Sequence, residues 1–176
     1  MAGEEEPTQR VRAPARDEPW IRVWDGDANH VQMSREGLFL VYTTGSATDA
    51  NIASLVRNFD AFAHAHKGPI AFILQTTTTT RPPHESQRRQ VTEMMERHAD
   101  KLVAVAVCMT AAGFVGATLR AVASAVFGFG SRGHEVKVFA DITSGLVWAA
   151  NRAGVPVAYA TGLSVSAVDY VESGSA

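Results

Sequence analysis

Five consecutive threonines, Thr76–Thr80, stand between an apolar run and a stretch that carries several arginines. A threonine hydroxyl can accept a phosphoryl group, and arginines such as Arg88 and Arg89 can pair with the resulting anion. A helix that begins just after the run would also direct free N–H groups toward that anion. The run therefore predicts a partner or ligand contact, a phosphorylation site, or a plain polar connector. The contact residues we expect are Thr76, Thr77, Thr78 and Arg81, with Thr77 and Thr78 as candidate phospho-acceptors.

The other residues with chemical potential are too scattered to predict a metal site or a catalytic group. His84 and His98 share one face of a predicted helix, but at a rise of about 1.5 Å per residue they lie roughly 21 Å apart and cannot bind one ion. Cys108, the single cysteine, ends a predicted strand with no candidate base nearby in sequence, which favours a small buried side chain. We therefore predict no metal, no cofactor and no catalytic residue, and we expect the protein not to be an enzyme.

Hydrophobic periodicity predicts alternating strands and helices that would position these residues. The clearest helix follows a cap at Thr48 or Asp49, because apolar residues from Ile52 to Ala63 recur at the spacing of one buried stripe. Two strands, in WIRVW and HVQMS, are expected around a turn at Asp25-Gly26. Further strands are expected in LFLVYTTG, PIAFIL, LVAVAVCM and EVKVFA, and further helices after Pro82-Pro83, at Phe114–Phe129, and from the cap Asp141 to Gly154.

This order predicts an α/β fold, with a mixed β-sheet of about four to six strands and helices packed against it. Residues 1–19 carry three prolines and many charges, so they predict a disordered leader. The domain itself is expected to cover 20–155. We predict that 156–176 form a C-terminal tail, although VPVAYA could add an edge strand.

Three stretches of the sequence resemble a known protein family. They are PIAFIL followed by a polar loop, the segment that begins HADKLVAVAVCM, and VKVFADITSGLVWAA. With the element order, they resemble the STAS family, the domain shared by sulphate transporters and anti-sigma-factor antagonists, and more closely its bacterial STAS/SEC14-like branch. The resemblance implies a four- or five-stranded sheet, no intrinsic catalysis, and regulation by phosphorylation of a serine or threonine after a central strand. The matching loop here, QTTTTTRPP, lacks the aspartate and the glycine of the family's motif.

The predicted helix Phe114–Phe129 is unusually apolar. Gly113, Gly116, Arg120 and Ser124 form one narrow stripe, and the other faces carry Phe, Val, Leu and Ala. Such a helix is either buried on nearly all sides within the domain or covered by a second copy, another protein or an acyl-like ligand. For the second case the contact residues we expect are Phe114, Arg120 and Phe127.

Charge and cysteine content restrict the class of protein. The formal net charge is −2, and acids and bases balance from Trp20 onward, so there is no basic excess to bind nucleic acid. A single cysteine and an acidic N-terminus without an apolar run behind it favour a cytoplasmic protein. The uncharged stretch Val103–Leu119 raises the alternative of a membrane span, but its alternating valines favour a strand and Arg120 would lie in hydrocarbon.

Together these observations predict a non-catalytic regulatory or scaffolding module that binds a protein partner or self-associates. The alternative is a carrier or sensor of a lipid or another apolar small ligand, with the helix Phe114–Phe129 as one wall of its site.

Overall fold

A computed structural model describes residues 21–77, 83–110 and 133–174. The strands in these ranges are β1 (Arg22–Asp27), β2 (His30–Arg35), β3 (Leu38–Thr43), β4 (Ile70–Thr77), β5 (Leu102–Thr110) and β6 (Glu135–Phe139). The helices are α1 (Asp49–Ala65), α2 (Glu85–Arg97), α3 (Ile142–Ala153) and α4 (Val157–Ser173). The predicted leader and the predicted helix Phe114–Phe129 lie outside the described residues.

The six strands form one mixed sheet in the order β1-β2-β3-β4-β5-β6. The pairs β1–β2 and β2–β3 are antiparallel, and β3, β4, β5 and β6 run parallel to one another. Helices pack on both faces, so the predicted α/β fold and the predicted number of strands are confirmed. No helix among the described residues is long and apolar enough to cross a membrane.

The first hairpin exists as predicted, but its turn lies elsewhere. Asp27 pairs with His30, so Ala28 and Asn29 form the turn, and the Asn29 N–H donates to Asp27 Oδ1 at 2.7 Å. The dipeptide Asp25-Gly26, which we expected in the turn, is part of β1. The Tyr170 ring packs against Gly26, and a Cβ at this position would come within 2.6 Å of that ring and displace it.

One face of the sheet packs against α1 and α2. The core on this face is aromatic, and Phe39 on β3 is fully buried at its centre. The centroid of the Phe39 ring lies 5.3 Å from the ring centroids of both Phe59 and Phe62 on α1, and 6.2 Å from that of Phe72 on β4. The apolar stripe predicted for α1 is confirmed as part of the core, and Val91, Met94 and Met95 of α2 are buried with it.

The other face packs against α3 and α4, and here the predicted tail is wrong. Residues Val157–Ser173 form a helix whose buried side chains, Ala160, Leu163, Ala167 and Val171, follow helical spacing. Valine, serine, threonine and glycine are weak helix formers, so the segment has little intrinsic signal for a helix. Its helical state depends on packing against α3 and the sheet, which also excludes the edge strand that VPVAYA suggested.

The helix ends follow local rules closely. Thr48 caps α1 in a reciprocal box with Asn51, and Asp141 caps α3 by accepting the N–H groups of Thr143 and Ser144. Gly154 ends α3 in the left-handed conformation at φ 70°, which glycine adopts without steric cost. These predicted caps are confirmed.

The two helices on the aromatic face are joined by an ionic contact at Asp60. Its Oδ2 accepts from Arg97 at 2.9 Å, and its Oδ1 lies 2.7 Å from Nε2 of His98, which is buried. Arg97 therefore pairs with the neighbouring helix rather than with Glu93 along its own helix, whereas Arg89 does approach Glu93, at 4.0 Å. Burial acts to raise the pKa of the Asp60 carboxyl, but the hydrogen bonds from His98 and Arg97 outweigh it and the pKa lies below its ordinary value.

A carboxyl with a lowered folded-state pKa stabilises the protein above its unfolded pKa, near pH 4, and loses that contribution as pH falls through the folded-state value. Asp60→Asn is therefore expected to lower the free energy of unfolding at neutral pH by about 1–2 kcal/mol. The difference from the unmodified protein should shrink below about pH 4. Urea unfolding across this pH range measures both effects, with the exposed Asp100→Asn as the matched control. A deficit that stayed constant in acid would show that the Asp60 charge does not link the helices.

Candidate functional site

Two neighbouring parallel strands, β3 and β4, each end with a threonine at one edge of the sheet. β3 ends at Thr43, β4 at Thr77 and β5 at Thr110. The register pairs Thr43 with Thr76 and Thr77 with Thr110. The first turns of α1 and α2 lie at the same edge, since each helix begins shortly after one of these strands. This carboxyl edge is where ligands and partners bind in open α/β sheets.

The structure places two of the predicted contact residues here at different depths. Thr76 is buried, and its hydroxyl donates to the Thr77 carbonyl at 3.3 Å. Thr77 is half-buried, and its hydroxyl donates to the Thr44 carbonyl at 3.4 Å, which joins the end of β4 to the segment after β3. Of these two threonines, Thr77 is therefore the one nearer the surface. The other predicted contact residues, Thr78, Arg81, Phe114, Arg120 and Phe127, lie outside the described residues and stay predictions.

A contact between the first turns of α1 and α2 completes this edge. Asp49 Oδ1 accepts from Gln87 Nε2 at 2.8 Å and lies 3.1 Å from His84 Nε2. Gln87 is buried and also accepts the His84 backbone N–H at 3.1 Å, so it holds both partners in place. Sequence reasoning missed this contact because no local pattern links residues so far apart in the chain.

The same contact extends to a hydroxyl. Ser86, exposed in the first turn of α2, has its Oγ 3.1 Å from His84 Nδ1. Because the Asp49 carboxylate can only accept a hydrogen bond, a neutral His84 donates through Nε2, and its Nδ1 is then the acceptor for the Ser86 hydroxyl. The result is a carboxylate–imidazole–hydroxyl chain at the carboxyl edge. We call Asp49, His84 and Ser86 the edge triad.

Two of the arginines that could face an anion at this edge, Arg88 and Arg89, are engaged elsewhere, and Arg81 lies outside the described residues. Arg88 donates to the Pro83 carbonyl at 3.1 Å, and Arg89 lies beside Glu93. The prediction that they pair with a phosphate on Thr77 or Thr78 therefore gains no support from their positions.

A polar cluster also lies beneath the sheet, on the side of α3 and α4. Ser164 of α4 donates to Gln75 Oε1 at 2.8 Å, and both side chains are buried. Gln75 pairs in register with Cys108. Burial, aided by the Asp141 charge, raises the pKa of the Cys108 thiol to about 12, so the group is a neutral thiol at physiological pH. The prediction that Cys108 is a small buried side chain is confirmed.

A second buried polar network joins β1 and β2 to α1. Ser54 donates to Asp25, and Asn58 donates to Ser54 Oγ at 3.1 Å and to Gln32 Oε1 at 3.0 Å. Gln32 Nε2 lies 3.3 Å from Nε2 of His30, whose Nδ1 is buried and has no hydrogen-bond partner among the described residues. Burial lowers the pKa of His30 despite the opposing charges of Asp27 and Asp25, which favours the neutral ring. Nothing in the sequence pattern indicated this network.

The histidines expected not to share a metal ion do lie at opposite ends of α2, with His84 before its first turn and His98 after its last. Among the described residues, no group of three or more histidines, cysteines and carboxylates is arranged to hold a metal ion. Comparisons of the chain with protein-family models, curated proteins and solved structures returned no match. The resemblance to the STAS family therefore stays a prediction.

Proposed function

We propose that the protein is a STAS-like regulatory module that acts by binding a protein partner or a second copy through its carboxyl edge. The observation that carries the proposal is that this edge is both exposed and held in one arrangement. Asp49 and His84 are exposed in their side chains by 79% and 57%, yet they are tied to each other and to the buried Gln87. A surface ordered in this way loses little conformational entropy when a partner binds.

The strand arrangement supports the same proposal. The described strands form one mixed sheet with helices packed against it, and the threonines that the resemblance makes candidate acceptors follow from the end of its central strand β4. Both faces of the central strands are covered by the chain's own helices. The carboxyl edge is therefore a place where these strands present polar groups to a partner. The alternative of an apolar-ligand carrier depends on the segment Phe114–Phe129, which lies outside the described residues.

Site-specific photocrosslinking in the native cells tests this proposal. A photoreactive residue replaces Glu85, which is exposed at the carboxyl edge, and in a control protein it replaces Lys67, which is exposed beyond the other end of α1. We expect a discrete adduct from position 85 and a much weaker one from position 67. The mass of the adduct separates a second copy of the chain from a different protein.

A competition experiment tests whether the adduct at position 85 reflects specific binding. An excess of the unlabelled protein should suppress the adduct at position 85, whereas an excess of Asp49→Lys, which reverses an exposed charge at the edge, should suppress it poorly. Equal adducts from positions 85 and 67, or equal suppression by both competitors, would contradict the assignment of the partner surface to this edge.

A further inference from the structure

We propose that Ser86 is a nucleophilic serine, activated by His84 and Asp49, that accepts an acyl group from a neutral ester. The hydrogen bonds of the edge triad connect Ser86 to His84 and His84 to Asp49. The Asp49 carboxylate, 3.1 Å from Nε2, selects the tautomer in which Nδ1 carries a lone pair. That lone pair faces the Ser86 hydroxyl at 3.1 Å, which is the distance a general base needs to take its proton.

Gln87, which is not a member of the edge triad, also holds its side chains in place. Gln87 Nε2 donates to the same Asp49 oxygen at 2.8 Å, and its buried side chain accepts the His84 backbone N–H. Asp49 is the first residue of a 17-residue helix, and Ser86 lies in the first turn of a second helix. Two helices therefore fix the spacing, and Asp49 and Gln87 act as positioning residues, whereas Ser86 and His84 would contact the reacting group.

Charge selects the substrate class. Arg88 and Arg89, the nearest basic residues along α2, bind the Pro83 carbonyl and approach Glu93, so neither is directed at Ser86. The Asp49 carboxylate on the far side of His84 would repel a phosphate dianion. Exposure of the hydroxyl admits an uncharged ester from solvent. A neutral acyl ester therefore suits the triad better than a phosphoryl donor.

The reaction balances without a cofactor. Ser86 Oγ forms a bond to the acyl carbon while the bond from that carbon to the alcohol oxygen of the ester breaks. The hydroxyl proton passes to His84 Nδ1 and from there to the departing oxygen. The products are an O-acyl serine and a free alcohol.

The chain supplies a matched internal control for this proposal. Ser144 is also an exposed serine in the first turn of a helix, but its Oγ donates to the Asp141 carboxylate at 2.5 Å and has no imidazole beside it in that contact. The two serines thus share exposure and position and differ in the base that faces them.

p-Nitrophenyl acetate, followed by release of p-nitrophenol and by peptide mass mapping, tests the proposal on the full chain. We expect acetylation of Ser86 at least roughly tenfold faster than that of Ser144. His84→Asn keeps a side chain that caps helices well but cannot take the proton, so it should reduce Ser86 acetylation to the rate of Ser144. Asp49→Asn should slow it to a smaller extent.

Equal acetylation of Ser86 and Ser144, an unchanged rate in His84→Asn, or label on other residues alone would overturn the proposal. Circular dichroism of each variant confirms that α2 remains folded. The assay uses isolated protein, so it gives its answer whether or not the carboxyl edge also binds a partner. Ser86→Ala, which removes the acceptor, should abolish the Ser86 label.

Discussion

Phe39→Ala is expected to lower the free energy of unfolding by about 3–5 kcal/mol. Phe39 is fully buried at the centre of an aromatic cluster, with the rings of Phe59 and Phe62 at 5.3 Å and that of Phe72 at 6.2 Å. The ring joins the sheet to α1, so its removal leaves a cavity that the surrounding strands and helix cannot fill without moving. Denaturant unfolding monitored by circular dichroism measures the loss.

Val165→Ala, at an exposed position of α4, is the control for this experiment and should change stability by less than about 0.5 kcal/mol. A loss below about 1 kcal/mol for Phe39→Ala would be inconsistent with a tightly packed aromatic core between β3 and α1.

Gly145→Ala is expected to destabilise the protein by about 1–3 kcal/mol, although alanine is the better helix former. A Cβ at Gly145 would fall well inside the contact distance of Cys108 Sγ and lie 3.1 Å from the Phe139 ring. The absence of a side chain therefore lets α3 approach β5 and β6 closely. Thermal and urea unfolding measure the effect.

Two further variants decide whether that contact is the cause. At Gly162, a helical glycine of α4, an added Cβ meets only the flexible end of Arg35 at 3.2 Å, so Gly162→Ala should be neutral or stabilising by up to about 1 kcal/mol. Cys108→Ala removes the sulfur that blocks position 145, so it should recover part of the loss when combined with Gly145→Ala. Simple additivity of the two changes would contradict a direct clash.

The carboxyl edge shows how far a site can be predicted from a sequence. The threonine run was expected after an apolar strand, and Thr76 and Thr77 do end β4. The depth of each hydroxyl was not predictable, because it depends on the pairing of β4 with both β3 and β5. The edge triad was missed for a similar reason: Asp49 meets His84 only after two helices pack side by side.

The sequence alone determined the features that depend on near neighbours along the chain. The buried stripe of α1, the caps at Thr48 and Asp141 and the left-handed end at Gly154 each depend on side chains within a turn or two of one another. The alternation of strands and helices followed from the same local patterns and was sufficient to predict the fold class.

Only the tertiary structure decided the features that join distant segments. The helix α4 forms from weak helix formers because the sheet and α3 cover its apolar side. Arg97 pairs with Asp60 rather than with Glu93 because α1 lies beside α2. The buried network from Asp25 to His30 and the contact of Ser164 with Gln75 arise in the same way. The free energy of such contacts depends on which helices and strands pack against each other in the folded chain. The local spacing of residues does not determine that packing.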